Sequence, residues 1–600
     1  MCSFMASFIA LTIFIALILT QLYIWKFSRT RFYQKHKDLC ICAIITLVYA
    51  AYAFTNLGNF HSPQSYFHGT TSESIEIDFG EIADIHHLQF MQGPRHEQVF
   101  LLEFSYDAEN WGGDIFVGTG RVFAWDIRTL IVQTRYIRLT PLTPDLYIME
   151  MGFRDGNFNI VPITNVDAEG AGLFDEQHLI PNQPLDYMHS TYFDEVFYAR
   201  TAYEYLHGME VYEWTHPPLG KVIISWGIRI FGMTPFGWRF MGALAGVLML
   251  IPLYYLARAL FKSSFWAGFS TIIFAFDFMH YVLTRVAMID TFAVLFMIAV
   301  YYFMYQYSRR SFLTGSFANT LVPLLFSGIF MGLSVATKWS GLYGAAGIAV
   351  LFFIIMLRRY KEYKTNPVGY KDFPKYVVLT FVCCVVFFVF IPATIYILSY
   401  IPYYRTGSLH PEMGFLPAIF QNQIDMLHFH LHIDATHLFA SYWWEWVINW
   451  RPMLFFDSIL PDGMRQGISA FGNPVVWWGG IPALVYTCYR AAKGEFVPTF
   501  LVVGYLAFLL PWLFAARVSF IYYYFPSVVF LVLMIAYAIR EMKIFGRLKL
   551  DRHAVACTFA TVAIALFLLF YPVLAGVPIS TEYVERFLRW PFMREWILIV

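Results

Sequence analysis

Charge is scarce in this 600-residue chain: only 14% of residues are Asp, Glu, Lys or Arg, and acids and bases balance to a formal net charge of +0. That balance removes the electrostatic footprint a nucleic-acid partner would need. Cysteine is scarce too. All seven (Cys2, Cys40, Cys42, Cys383, Cys384, Cys488 and Cys557) lie in or beside apolar segments, which excludes a disulfide framework in the hydrophilic stretches. Cys40 and Cys42 lack the second pair a zinc site needs and read as packing residues. Three chemistries are missing with their motifs: there is no Walker lysine loop, no dinucleotide glycine fingerprint and no G-x-S-x-G elbow. What is abundant is apolar surface. With 58% hydrophobic and 20% aromatic residues, and a mean hydropathy of +0.54, the composition is that of a polytopic α-helical membrane protein.

Apolar runs fall at 4–25, 39–57, 237–257, 265–283, 287–307, 320–337, 342–357, 376–400, 475–489, 499–515, 520–539 and 554–574. They imply about twelve spans, each near the roughly 20 residues a bilayer requires. The first run has no basic leader and no small-residue cleavage signal, so it reads as an anchor. Lys26, Arg29, Arg31, Lys35 and Lys37 follow it, which places that hinge in the cytoplasm and whatever follows Leu57 outside. Alternating sides from there, the inner loops carry Arg258/Lys262, Arg309/Arg310, Arg358/Arg359, Arg490/Lys493 and Arg540/Lys543. The basic residues therefore agree with the alternation at every turn. The tail from Thr581, with Trp590 and Trp596, reads as an outer interfacial helix.

Residues 59–165 change character. Short alternating stretches such as SIEIDFG, VFLLEFSYD and TRYIRLT, broken by Gly, Pro and Asp, predict an all-β sandwich on the outer side. The pattern around Trp111, Trp125, Tyr136 and Tyr147 resembles the discoidin fold, often a carbohydrate-binding module. Exposed Trp and Tyr there would stack on sugars; the alternative is that Trp111 and Trp125 are core residues.

The stretch 189–221 holds the densest chemistry. An adjacent pair, Asp194-Glu195, sits on a helix-like run that closes with HPPLGK, from His216 to Lys221, whose two prolines should stop a helix. On the expected topology the same outer face receives Arg239, Arg285, Asp290, Lys338 and Arg517. Ionised groups cost about 2.5–3.5 kcal/mol each near a membrane centre, so gathering them makes sense if they line a polar cavity. A carboxylate beside cations at a membrane surface suits group transfer from a lipid phosphate: the carboxylate takes the proton of an attacking hydroxyl, and the cations stabilise the departing phosphate. His428, His430, His432 and His437 alternate on what reads as a loop, but show no metal logic. The residues demand no cofactor, and a divalent cation, Mg or Mn, is left open. Two other classes share some features. A lipid-linked sugar transporter predicts inverted repeats, which are not seen, and a sugar-binding receptor needs far fewer spans.

TYFDEVFYARTAYEYL followed by THPPLGK resembles the signature of the protein O-mannosyltransferases, and GWRFMGAL, TRVAMIDTF, ATKWSGL, SYWWEWVINWRP and RVSFIYYYFP resemble further members of that pattern in the same order. The resemblance implies a GT-C glycosyltransferase that moves mannose, with inversion, from a polyprenyl-phosphate donor to Ser or Thr hydroxyls outside the cytoplasm. It implies Asp194 as general base with Glu195 positioning. Lys221, Arg239 and Arg517 would hold the phosphate, and Arg285 and Asp290 would form a supporting pair. His216, Lys338 and Tyr522 would lie in the substrate site, with Trp443, Trp444 and Trp446 near lipid or acceptor. Family members often carry a soluble domain in a later loop, whereas here the β-insertion precedes the acidic pair. That points to a bacterial branch in the plasma membrane, acting on a protein, a wall polymer or a lipid.

The resulting organisation is two N-terminal helices (1–58), the sandwich (59–165) and a catalytic outer loop (166–236). Helices at 237–400, a long outer loop (401–473), helices at 474–576 and an outer tail (577–600) complete it.

Overall fold

The computed structural model describes residues 31–589, apart from 72, 183–185, 313–315, 366–371, 434, 461–462 and 516. The expected first span at 4–25, and Trp590 and Trp596, lie outside the described residues. The chain divides into two compact units. One contains Asn56–Glu213 and Ile223–Met241; the other contains Trp214–Val222, Gly242–Val600 and the chain up to Thr55.

The first unit is built on a seven-stranded antiparallel sheet. Its strands are β1 (Phe67–Gly69), β2 (Ile75–Gln92), β3 (Val99–Ser105), β4 (Gly112–Gly118), β5 (Trp125–Pro141), β6 (Leu146–Arg154) and β7 (Asn165–Val166). The order is β1-β6-β2-β5-β3-β4, with β7 beside β2. Period-two alternation explains the pairing. Ile75, Ile77 and Phe79 point into a core with Leu88, Phe90, Ile137, Leu139 and Phe153. The intervening acids meet arginines across the strand boundary, Glu76 with Arg138 at 2.8 Å and Asp78 with Arg135 at 3.0 Å. A register shift follows Asp78, where Gly80 takes φ +81°. The two tryptophans part ways: Trp125 is buried packing, while Trp111 is half-buried with the Arg138 guanidinium 3.9 Å from its ring centroid. The sheet belongs to the same unit as the helix Glu195–His207, which Gly208 ends in a left-handed C-terminal cap.

The second unit is helical. Among the described residues, eight helices are long and apolar enough to cross a membrane, or nine if the bent pair Ser264–Ala275 and Phe278–Thr284 is one span. The 60° bend of that pair has a cause: Asp277, between the two, caps the second helix through the N–H of Met279 and accepts from Trp477 Nε1 at 3.0 Å. The expected runs at 475–489 and 520–539 form the helices Pro474–Ala492 and Phe525–Glu541. The supposed loop at 401–473 is mostly ordered as Ile401–Arg405, Phe415–His432, Trp443–Val447 and a hairpin of Met453–Ile459 with Arg465–Ala470. Pro217 and Pro218 do not stop a helix; they open one, Leu219–Phe231, because residues at a helix start need no N–H partner. Gly220 is needed there for packing, since a Cβ would lie 2.6 Å from Ile289 Cγ2.

Candidate active site

Asp194 and Glu195 are neighbours with opposite fates. Glu195 is wholly buried, and its carboxylate receives Arg239 Nε at 2.7 Å, Arg239 Nη2 at 2.8 Å and Trp238 Nε1 at 3.1 Å. Arg239 is equally buried. Its other N–H groups donate to the carbonyls of Leu57, Tyr187 and Ser190. All five guanidinium donors are thereby used, so Arg239 has none left for a phosphate. The expected phosphate-holding role is corrected: Arg239 clamps the acidic loop, and Glu195 is its anchor.

Asp194 is half-buried and begins the helix without spending its side chain on a cap bond; its carbonyl accepts from the N–H groups of Phe197 and Tyr198. Phe193 before it holds φ +51°, a conformation a bulky residue adopts at a cost of about 1–3 kcal/mol when its surroundings impose it. Those surroundings include the sheet unit. Thr191 donates its N–H to the Phe123 carbonyl at 3.0 Å, and Ser190 Oγ accepts the N–H of Trp125 at 3.1 Å. The β-insertion is thus part of what fixes the segment leading into Asp194.

In the helical unit, a cavity of about 430 Å³ is lined by His216, Lys338, Trp339, His430, Trp512 and Arg517, among others. Among the described residues it is lined by two permanent cations, and they differ. Lys338 Nζ lies 2.8 Å from both carboxylate oxygens of Asp290, so its charge is compensated. Arg517 instead bonds neutral groups: Nη1 to His430 Nδ1 at 2.8 Å and Nη2 to Tyr523 Oη at 3.3 Å. Tyr523 stacks on Trp512 at 4.4 Å, and Trp446 packs against both, so an aromatic wall backs the arginine. Burial, with His216 and Arg517 alongside, pushes His430 down to about 4.

Other expected residues take different places. Asp290 pairs with Lys338 instead of Arg285, while Arg285 Nη1 donates to the carbonyls of Tyr52, Ala53 and Thr55 at a helix C-terminus. Lys221 is buried, donates to the His216 carbonyl at 2.9 Å, and does not line the cavity. Tyr522 is buried against Phe455 and Phe520; the next residue, Tyr523, is the one that meets Arg517. Trp446 is wholly buried and bonded to Ser441 Oγ, whereas Trp443 is half-buried and Trp444 exposed; none of the three lines the cavity.

His428, His430 and His432 lie on a helix, not a loop. A spacing of two splits them between helix faces: His428 and His432 stack at 4.2 Å, and His430 lines the cavity. Among the described residues, Glu150, Asp175 and Glu176 are the acidic or histidine side chains close enough together to share a cation. Their oxygens already accept bonds from Gln177, Ser65 and backbone N–H groups.

Two family models match the chain. One, dolichyl-phosphate-mannose-protein mannosyltransferase, matches residues 230–404; the other, the C-terminal four-transmembrane region of protein O-mannosyltransferase, matches 415–493 and 492–596. Together they span more than half of the chain. It belongs to the protein O-mannosyltransferase family. The chain is similar to a polyprenol-phosphate-mannose–protein mannosyltransferase of Corynebacterium glutamicum, 28% identical over 71% of this chain and 89% of that protein. A Mycobacterium tuberculosis protein of the same description is 27% identical over 65% of this chain and 84% of its own length. The fold is similar to a solved Saccharomyces cerevisiae protein O-mannosyltransferase Pmt1–Pmt2 complex bound to the sugar donor, with TM-score 0.56, 13% identity and coverage of 67% of this chain and 89% of that one. The chain is an integral-membrane glycosyltransferase of the GT-C fold. The family models begin downstream of Asp194, so the role of that residue rests on its own geometry.

Proposed function

We propose that this mannosyltransferase works on the extracytoplasmic face of a plasma membrane, with Asp194 as the base and Arg517 as the group that receives the carrier phosphate. A Ser or Thr hydroxyl of the acceptor protein loses its proton to Asp194 as its oxygen bonds the anomeric carbon of mannose from the side opposite the phosphate. The bond from that carbon to the phosphate oxygen breaks with its electrons, which inverts the centre. The carrier changes from a singly charged diester to a monoester bearing one more negative charge. Catalysis gains most from a cation placed where that charge develops.

The observation that carries this reading is the partnering of Arg517. It is a cavity-lining guanidinium whose hydrogen-bond partners among the described residues, His430 and Tyr523, are both neutral. Among the described residues, an anion entering the cavity meets at Arg517 a charge that no carboxylate bonds, and at Lys338 a compensated one. Arg517→Ala is expected to raise the Kd for polyprenyl-phosphate mannose by about ten- to hundredfold, the range for a charge-assisted hydrogen bond. Titration of the purified, membrane-reconstituted chain with that donor measures it. Wild-type affinity and turnover in the variant would remove Arg517 from the phosphate.

A further inference from the structure

We infer that His430 is a positioning residue for the donor: a neutral acceptor that aims Arg517 into the cavity without cancelling its charge. This rests on the reading that Arg517 meets the carrier phosphate.

The hydrogen bonds fix the histidine's state. His430 Nε2 lies 2.9 Å from the carbonyl oxygen of Thr215, which can only accept, so Nε2 carries the proton. His430 Nδ1 lies 2.8 Å from Arg517 Nη1, which can only donate, so Nδ1 presents its lone pair. A second proton on the ring would set an N–H against a guanidinium N–H. The surroundings oppose that proton as well. Among the described residues, His216, 5.3 Å away between ring centroids, Arg517 and Lys338 are the titratable groups facing the ring, and none of these is acidic.

The choice of a neutral partner has a consequence for binding. A carboxylate in the same place would orient the guanidinium equally well, but would neutralise it as Asp290 neutralises Lys338. An entering phosphate would then have to displace an ion pair. An imidazole orients Arg517 and leaves the charge for the ligand. The residue sits in the last turn of Phe415–His432, a segment whose helical spacing turns His430 away from His428 and His432.

The test uses the full chain in lipid nanodiscs, titrated with polyprenyl-phosphate mannose. His430→Phe, which cannot accept, and His430→Glu, which accepts but compensates, are both expected to raise the Kd about tenfold or more. His430→Gln, with a neutral acceptor and a donor, is expected to stay within about threefold. In an Arg517→Ala background, His430→Phe should add nothing further. Wild-type affinity should fall as pH drops through about 4, and that of His430→Gln should not. A merely structural histidine predicts equal losses for Gln and Glu, additivity with Arg517→Ala and no pH step, and any of these overturns the proposal. Should the Phe variant fail to fold, the Gln–Glu comparison and the wild-type pH titration decide. Arg517→Ala separates the two readings. Normal donor binding by that variant ends the phosphate assignment itself, whereas a weakened one with unaffected His430 variants ends only the positioning role.

Discussion

Asp194→Asn is expected to lower the rate of mannosyl transfer by about 10²- to 10⁴-fold, the span general-base catalysis covers, with little change in donor affinity. The two effects separate because a base acts on a proton that moves only in the transition state, so its loss reduces kcat more than it raises Kd. Asparagine keeps the size and one acceptor oxygen but cannot take the proton. The structure gives a reason to expect an intact fold in this variant. Glu195, Arg239, Trp238 and the Ser190–Thr191 contacts hold the loop, and Asp194 contributes no side-chain cap to the helix it begins. A radiolabelled transfer assay beside a donor titration reads both quantities. Full turnover in a correctly inserted Asp194→Asn protein would take the base role away from this residue, and equal losses of binding and rate would make it a binding group instead.

Glu195→Ala should have the largest effect on stability, through a different route. It strands a guanidinium that is wholly buried and whose charge, among the described residues that bond it, is met by Glu195 alone. Breaking a buried pair in this way costs about 3–5 kcal/mol. Against the roughly 5–15 kcal/mol that keeps a typical domain folded, that is a large fraction. The expected result is a protein that unfolds at markedly lower temperature in detergent and is cleaved rapidly in the segment before Asp194. Arg239→Lys should also destabilise, because an ammonium cannot reproduce the five-donor fork. Its folded fraction should bind donor normally, which is where a clamp differs from a phosphate ligand. Replacing both partners with apolar residues, Glu195→Leu with Arg239→Met, should recover part of the loss, since no charge is then left unpaired. A Glu195→Ala protein as stable as wild type would contradict the clamp.

Composition and run length by themselves make the chain a polytopic membrane protein, because burying apolar side chains in lipid needs long uncharged segments, and these are countable along the chain. Alternation marks the β-insertion in the same way, since side chains change face at every residue of a strand. The acidic pair and HPPLGK, with the basic motifs in order, point to a lipid-phosphate mannosyltransferase, the family to which the chain belongs. Proline near a helix is visible in the sequence too, but not its direction: Pro217 and Pro218 open a helix where the reading of the motif has them close one.

Partnership is what the tertiary structure alone decides. Glu195 meets Arg239 across 44 positions, Lys338 meets Asp290 across 48, and Arg517 meets His430 across 87. Periodicity reports local backbone geometry, whereas a charged group's role depends on which opposite or neutral group packing brings to it, and that is a property of the folded chain. Hence three arginines with the same side chain end in three states: Arg239 fully spent on a loop, Arg285 capping a helix end, and Arg517 held by neutral groups in a cavity.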